Sequence, residues 1–203
     1  MAKATAKKAT TPVKKRPRQV KPENQSPCPV LSPERVHELL GLPAPFEPPP
    51  PPPAWPGYVT VWDCGCSIRD LRKKHPALFC PFTGDWLDAQ EFAKRTNVRH
   101  WRQLKPLAAP PGLPFADQAE HVSSDDDLPH ARELVLYLLV HFLATGERLP
   151  LPALRTKDVL PSGRRVIVGR FLETGLEIAN VSDEWASPGI ALAAVFTPPV
   201  KRK

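Results

Sequence analysis

Hydrophobic and polar positions change rhythm several times along the 203 residues, and each change predicts an element. From Leu31 to Gly41 the run LSPERVHELLG sets Val36, Leu39 and Leu40 on one stripe. Ser32 can cap it, Pro33 suits the first helical position, Leu31 and Val36 can form a hydrophobic staple and Gly41 ends it, so a short amphipathic helix is expected over 31–41. Such a stripe ahead of a Pro-rich stretch is either a docked first helix or a linear motif for a partner's groove. Residues 42–56 contain six consecutive prolines, which cannot donate the hydrogen bonds of helix or sheet, so a polyproline II spacer is expected. After Gly57, the residues Tyr58, Val59, Val61 and Trp62 begin a strand. The stretch PALFCPF followed by Thr83-Gly84-Asp85 reads as a hairpin turned at Gly84. Asp88 and Glu91 stand as a capping box, with Leu87 and Phe92 as its staple, for a helix from about Ala89 to Arg95. Val98, Trp101 and Leu104 at helical spacing predict another helix after Asn97.

The second half carries the strongest signal. Pro129 to Ala144 is apolar nearly all round, which requires burial in a core or an interface. Asp125, Asp126 and Asp127 read as its acidic N-terminus, Gly146 stops it, and His141 within it reads as a hydrogen-bonded core residue. RLPLPALRTKDVLPSG is then an extended, proline-stiffened connection, RRVIVGRFLETGLEIANV alternates like a hairpin around Glu173-Thr174-Gly175, and Gly189 to Phe196 adds a last strand. The expected class is α+β: a small α/β module and a C-terminal unit of one helix on an antiparallel hairpin, preceded by a disordered basic and Pro-rich region. The expected pieces are a basic arm (1–30), a short helix (31–41), a polyproline linker (42–56), the α/β module (57–107), an acidic linker (108–127), the α+β unit (128–197) and a basic tail (198–203).

Charge sharpens this division. The net charge of +7 is concentrated in the arm, where eight Lys/Arg and no acid occur in residues 1–21, and in the module, where nine basic groups face five acidic ones over 58–107. Polyanions are the natural ligands of both. Lys14, Lys15, Arg16 and Arg18, and again Lys201, Arg202 and Lys203, have the composition of nuclear import signals, the alternative being solubilising tails. On the helix expected after Asn97, Arg99, Arg102 and Lys105 would project around an inward-facing Trp101 and lie against phosphates, with Lys73, Lys74, Lys94 and Arg95 contributing, unless that face is merely solvated. No apolar run approaches the roughly 20 residues that span a bilayer, and the N-terminus lacks a signal-peptide core, so a soluble protein of the nucleus with reduced thiols and no membrane partner is expected.

Cys64, Cys66, His75 and Cys80 offer the donor set of a structural zinc ion, although only the C-x-C pair is close in sequence; reduced core thiols are the competing reading. No other cofactor is implied. Nothing has the form of a catalytic thiol dyad with a local signature or of a Gly-rich phosphate cradle after a strand, so no enzyme is expected.

One ordered series resembles a known family. V-T-V-W-D-C-G (Val59 to Gly65), Leu71 to Lys73, F-C-P (Phe79 to Pro81), G-D-W (Gly84 to Trp86), Glu91-Phe92 and R-H-W-R (Arg99 to Arg102) are similar to the SAND domain of chromatin-associated transcription regulators. The resemblance implies a compact α/β fold with Arg99 and Arg102 as DNA contacts on a helical surface, supported by Trp101; it departs from the family where His100 replaces an acid and where the glycine-rich stretch is missing. The apolar helix with Leu149-Pro150-Leu151-Pro152 and Lys157-Asp158-Val159-Leu160 (about 131–160) resembles a SOCS box, the adaptor element that joins Elongin and a cullin ubiquitin ligase. The expected function is therefore a nuclear DNA-associated transcription or chromatin regulator. The alternatives are a viral-type interaction adaptor that recruits host proteins through that helix and the LPLP segment, and a nucleic-acid-packaging protein acting through the arm alone.

Overall fold

The computed structural model describes residues 30–45 and 47–196. Both basic clusters proposed for nuclear import, and Cys28, lie outside them.

The N-terminal helix forms as its local chemistry dictates: α1 (Pro33–Leu39) has Ser32 as N-cap, whose Oγ accepts from the Arg35 amide at 3.3 Å. It is docked, with Val36 and Leu40 in the core. Its His37 is buried as well; Nε2 accepts from Trp62 Nε1 at 3.3 Å, and Nδ1 pairs with the Pro43 carbonyl. The Pro-rich stretch that follows lies along the protein, because the Pro49 carbonyl accepts from Trp101 Nε1 (2.7 Å) and the Pro53 carbonyl from Gln103 Nε2 (2.6 Å). Proline carbonyls keep their acceptor capacity when the N–H is lost, which makes such a run a good strap.

Next come β1 (Val59–Asp63), α2 (Ile68–Lys74), α3 (Gly84–Ala89), α4 (Glu91–Lys94), β2 (His100–Ala109), α5 (Phe115–Ala119), β3 (Asp126–Asp127), α6 (Ala131–Thr145), β4 (Ala153–Val159), β5 (Arg165–Leu172), β6 (Gly175–Val181) and β7 (Ile190–Phe196). The class is α+β, and the seven strands of the described residues share one curled sheet in the order β1-β2-β7-β4-β5-β6, with β3 also on β7. Every pairing is antiparallel except β4 with β7. The sheet thus runs through both the 57–107 and 128–197 stretches.

Helix α6 is the core. Eleven consecutive residues from Ala131 to His141 are buried, and Gly146 closes the helix in the left-handed conformation. The β5–β6 hairpin turns at Glu173-Thr174, with Leu172 paired to Gly175, and the last strand forms as expected.

Several expectations are corrected. The segment after Asn97 is the strand β2, not a helix: Pro106 removes a donor and disfavours α geometry at Lys105, while the β-branched residues of β1 offer a ladder from Val59↔Leu104 to Asp63↔His100. Gly84 turns no hairpin but begins α3; the prolines at 76 and 81 break the preceding run into two short 3₁₀ turns, and only Phe79 makes a bridge, to Leu176. Asp88 lies inside α3 and pairs with Arg72 at 2.8 Å, so the box with Glu91 does not form. A capping box does form at Ser67 and Asp70, which start α2. Asp126 and Asp127 are strand residues, and His130 is the N-cap of α6. The connection after Leu149 holds a central strand, β4. His141 is buried with neither ring nitrogen hydrogen-bonded among the described residues, and burial lowers its pKa from the ordinary value.

Candidate nucleic-acid interface and the ion network behind it

Directly opposed residues of an antiparallel pair share a face, so the register of β1 and β2 brings Asp63, His100 and Arg102 to one side of the sheet. The first turn of α6 meets that side. Arg132 clamps Asp63 with both nitrogens, Nη1 to Oδ1 at 2.6 Å and Nη2 to Oδ2 at 2.5 Å, with Asp63 only 1 % exposed. Beside it, Arg102 Nε lies 2.6 Å from Glu133 Oε1, and the Glu133 side chain is 2 % exposed. Arg102, expected to meet phosphate, is thus turned inward by a buried carboxylate. Burying an acid beside its guanidinium keeps the charges compensated, whereas aiming Arg102 outward would strand Glu133.

A second buried acid organises the entry to α6. Asp158 on β4 accepts from the Ala131 amide (2.7 Å), from Arg95 Nη1 (3.1 Å) and lies 2.9 Å from His130 Nδ1. It therefore supplies the negative charge that the helix N-terminus favours, the role the sequence suggests for Asp125–Asp127. Between these networks lies a cavity of about 260 Å³ lined by Arg95, Asn97, Arg102, His130, Arg132 and Asp158.

Burial pushes the Asp158 carboxyl up, but the His130 ring, the Ala131 amide and the Arg95 guanidinium together outweigh it, and the pKa settles below the ordinary carboxylate value. A folded-state pKa below the unfolded one adds stability that is present above the unfolded value, about 3.9, and is lost as pH falls through the folded one. Acid titration of unfolding should therefore be shallower below about pH 4 in Asp158→Asn than in the wild type. Parallel curves in urea series at pH 2–5 would count against this role.

The remaining predicted cations divide by element. Lys73 and Lys74 end α2, whose last turn also carries Arg72, and Lys74 Nζ donates to the Gly41 carbonyl at 2.8 Å. Arg99 is exposed in the loop just before β2 and reaches the 64–66 turn, its Cγ standing 3.5 Å from where a Gly65 Cβ would be. That turn is tied to the same loop by the Asn97 amide donating to the Gly65 carbonyl at 3.2 Å. Among the described residues, Lys73, Lys74 and Arg99 have no carboxylate within ion-pair distance. Lys94 pairs with Glu91 at 2.7 Å, and Arg95 with Asp158, though Arg95 keeps much of its side chain in solvent. Lys105, an odd-numbered position of β2, faces away from Arg102. Trp101 packs edge-on against Trp62 with ring centroids 5.3 Å apart, so the aromatic of the R-H-W-R series is held on a strand rather than on a helix.

The zinc donor set does not assemble. Among the described residues the group of three or more donor side chains drawn within 4.8 Å is Asp63, His100 and Glu133, not Cys64, Cys66, His75 and Cys80. Cys80 is carried off to the far end of the sheet, where its amide donates to the Leu176 carbonyl at 3.0 Å. Both carboxylates of the Asp63 group are already balanced by Arg132 and Arg102. No described helix is long and apolar enough to cross a membrane.

Asp63, Arg132, Glu133, His130 and Asp158 are not legible in the sequence as a network, since the partners stand as far as 69 residues apart. The one local signal is the Arg132-Glu133 pair opening an otherwise apolar helix. No family model matches the chain, and no curated protein or solved structure matches it either.

Proposed function

We propose that the protein is a nuclear, DNA-associated transcription or chromatin regulator that meets phosphates through Lys73, Lys74 and Arg99 of the folded body together with its basic arm. The observation that carries this reading is that Arg99 beside residues 64–66, and Lys73 and Lys74 in the exposed last turn of α2, have no carboxylate to neutralise them among the described residues. Arg95, in the neighbouring loop, keeps much of its side chain in solvent but is paired with Asp158, so it adds less to this surface than the three unpaired cations. Lys/Arg contact with phosphate is non-directional and releases counterions, so it suits cations on a helix end and a loop as well as the basic helix first expected. The SAND-like series bears on the same surface, with Lys73 and Arg99 both inside it.

Duplex DNA titrated with the full chain across a salt series tests the proposal. Lys73→Ala, Lys74→Ala and Arg99→Ala together should reduce the slope of log K against log salt by about 2.7, at about 0.9 for each phosphate no longer neutralised. An unchanged slope, with binding abolished by alanines at Lys14, Lys15, Arg16 and Arg18, would assign DNA to the arm alone and favour the packaging reading. The adaptor alternative depends on α6 and the Leu149–Leu160 segment, and here α6 is enclosed by the sheet and the other helices while β4 is a central strand. Partners retained from nuclear extract after nuclease digestion would nevertheless favour it over DNA tethering.

A further inference from the structure

We infer that Cys64 and Cys66 form a reversible thiol–disulfide pair in the middle of the cationic face, with Cys66 attacking a peroxide and Cys64 closing the bond. The inference is independent of whether that face binds DNA.

The geometry is set by Gly65. Its φ of +80° belongs to the left-handed region, and a Cβ at this position would stand 2.6 Å from the Asn97 carbonyl oxygen, so the tight turn is available to glycine alone. Its amide donates to Asp63 Oδ1 at 2.8 Å and its carbonyl accepts from Asn97, which fixes the turn from both sides. The two flanking thiols meet across it, the Cys64 S–H donating to the Cys66 sulfur. A disulfide needs Cα atoms about 4.4–6.8 Å apart, and two cysteines separated by one residue are held within about 7 Å of each other by the chain itself. The sulfurs also differ in access: Cys64 is buried at 3 % exposure, whereas Cys66 is only partly covered. One thiol is placed to meet a small oxidant and the other waits behind it.

The charges around them match this division. The hydrogen bond from Cys64 stabilises the Cys66 thiolate; burial and Asp70 oppose it, Arg99 and Lys74 assist, and the pKa comes down to about 7. The same hydrogen bond, with burial and the Asp63 charge, pushes the Cys64 thiol up. Asp63 itself is held by Arg132, so little of its charge reaches the pair unbalanced.

The chemistry balances with hydrogen peroxide as the two-electron oxidant. The Cys66 thiolate attacks one peroxide oxygen, the O–O bond breaks, and hydroxide leaves to take up a proton as water, giving a sulfenic acid at Cys66. The Cys64 sulfur then attacks the sulfenic sulfur, the S–O bond breaks, and water departs with the Cys64 proton as the S–S bond forms. A thiol reductant reverses the step by exchange.

The test uses the reduced full chain, hydrogen peroxide as probe, and peptide mass spectrometry. Wild-type protein should lose two hydrogens in the peptide that contains both cysteines; Cys64→Ser should instead leave a dimedone-reactive sulfenic acid at Cys66, and Cys66→Ser should leave Cys64 unoxidised. Iodoacetamide alkylation of the wild type needs no variant: the Cys66 rate should titrate with a midpoint near 7. A thiol half ionised at pH 7, against about 3 % for an unperturbed one, should still react about threefold faster after its lower intrinsic nucleophilicity is counted. First oxidation at Cys28 or Cys80, a bridge involving either, or an ordinary alkylation profile at Cys66 would overturn the inference.

Discussion

Replacing Arg132 by methionine is expected to lower the unfolding free energy by about 3–5 kcal/mol, the cost of leaving a buried acid without its partner. The stranded group is Asp63, 1 % exposed and held by two guanidinium nitrogens at 2.6 and 2.5 Å. Methionine retains the apolar stem and helix propensity, so the loss reports the charge and not a cavity. Because β1 and α6 come from distant parts of the chain, their separation at this point should open the sheet from its β1 edge. The second arm of the experiment is Asp63→Asn with Arg132→Met, which removes the uncompensated charge. Chemical denaturation of the two variants should place the double variant above the single one, since the penalty belongs to the unpaired charge and not to the missing bond. Equal stability of wild type and Arg132→Met would mean that Asp63 reaches solvent or takes up a proton at little cost.

Gly175→Ala should be comparably damaging, by roughly 2–6 kcal/mol from backbone strain and forced separation together. Gly175 has φ +110°, and a Cβ there would stand 2.5 Å from the Phe79 carbonyl carbon and 2.6 Å from the Cys80 nitrogen. These are backbone atoms, so no side chain can rotate out of the way. The neighbouring bond from the Cys80 amide to the Leu176 carbonyl, 3.0 Å, is the attachment that would be pried apart. Gly163 is the matched control, with φ +79° but open space around its Cβ position, and alanine there should cost only about 1–2 kcal/mol. If thermal or urea unfolding ranks the two substitutions equally, the close approach of the 79–80 segment to β6 is not holding the fold.

What the sequence discloses and what it withholds follow from the range of the interactions. Helix α1, the burial of α6, the β5–β6 hairpin and β7 rest on signals contained within a dozen residues: a cap, an apolar run, a two-residue turn, an alternation. β2 imitates a helix because Val98, Trp101 and Leu104 satisfy a helical spacing by accident, while the deciding facts are Pro106 and a partner strand some forty residues earlier. β4 hides behind Pro150 and Pro152, which stop short of the strand and leave its ladder intact. For the candidate site the residue types are legible and their destinations are not: Lys73, Lys74 and Arg99 stay at the surface, whereas Arg102 is claimed by Glu133, a choice made by tertiary packing. The four candidate zinc donors are not grouped among the described residues for a related reason, since Cys80 lies against β6 between two 3₁₀ turns.

The position of β7 bears on how such a chain can be made. Residues 190–196 sit between β2 and β4, so the strand translated after the other described strands is the one that joins the two halves of the sheet. Until it emerges from the ribosome, a β1–β2 ribbon and a β4–β5–β6 meander each present an open edge to whatever strand is nearby. A premature stop anywhere after Val181 and before Ile190 would leave both halves synthesised but unjoined, a product fit for aggregation or proteolysis rather than for partial activity.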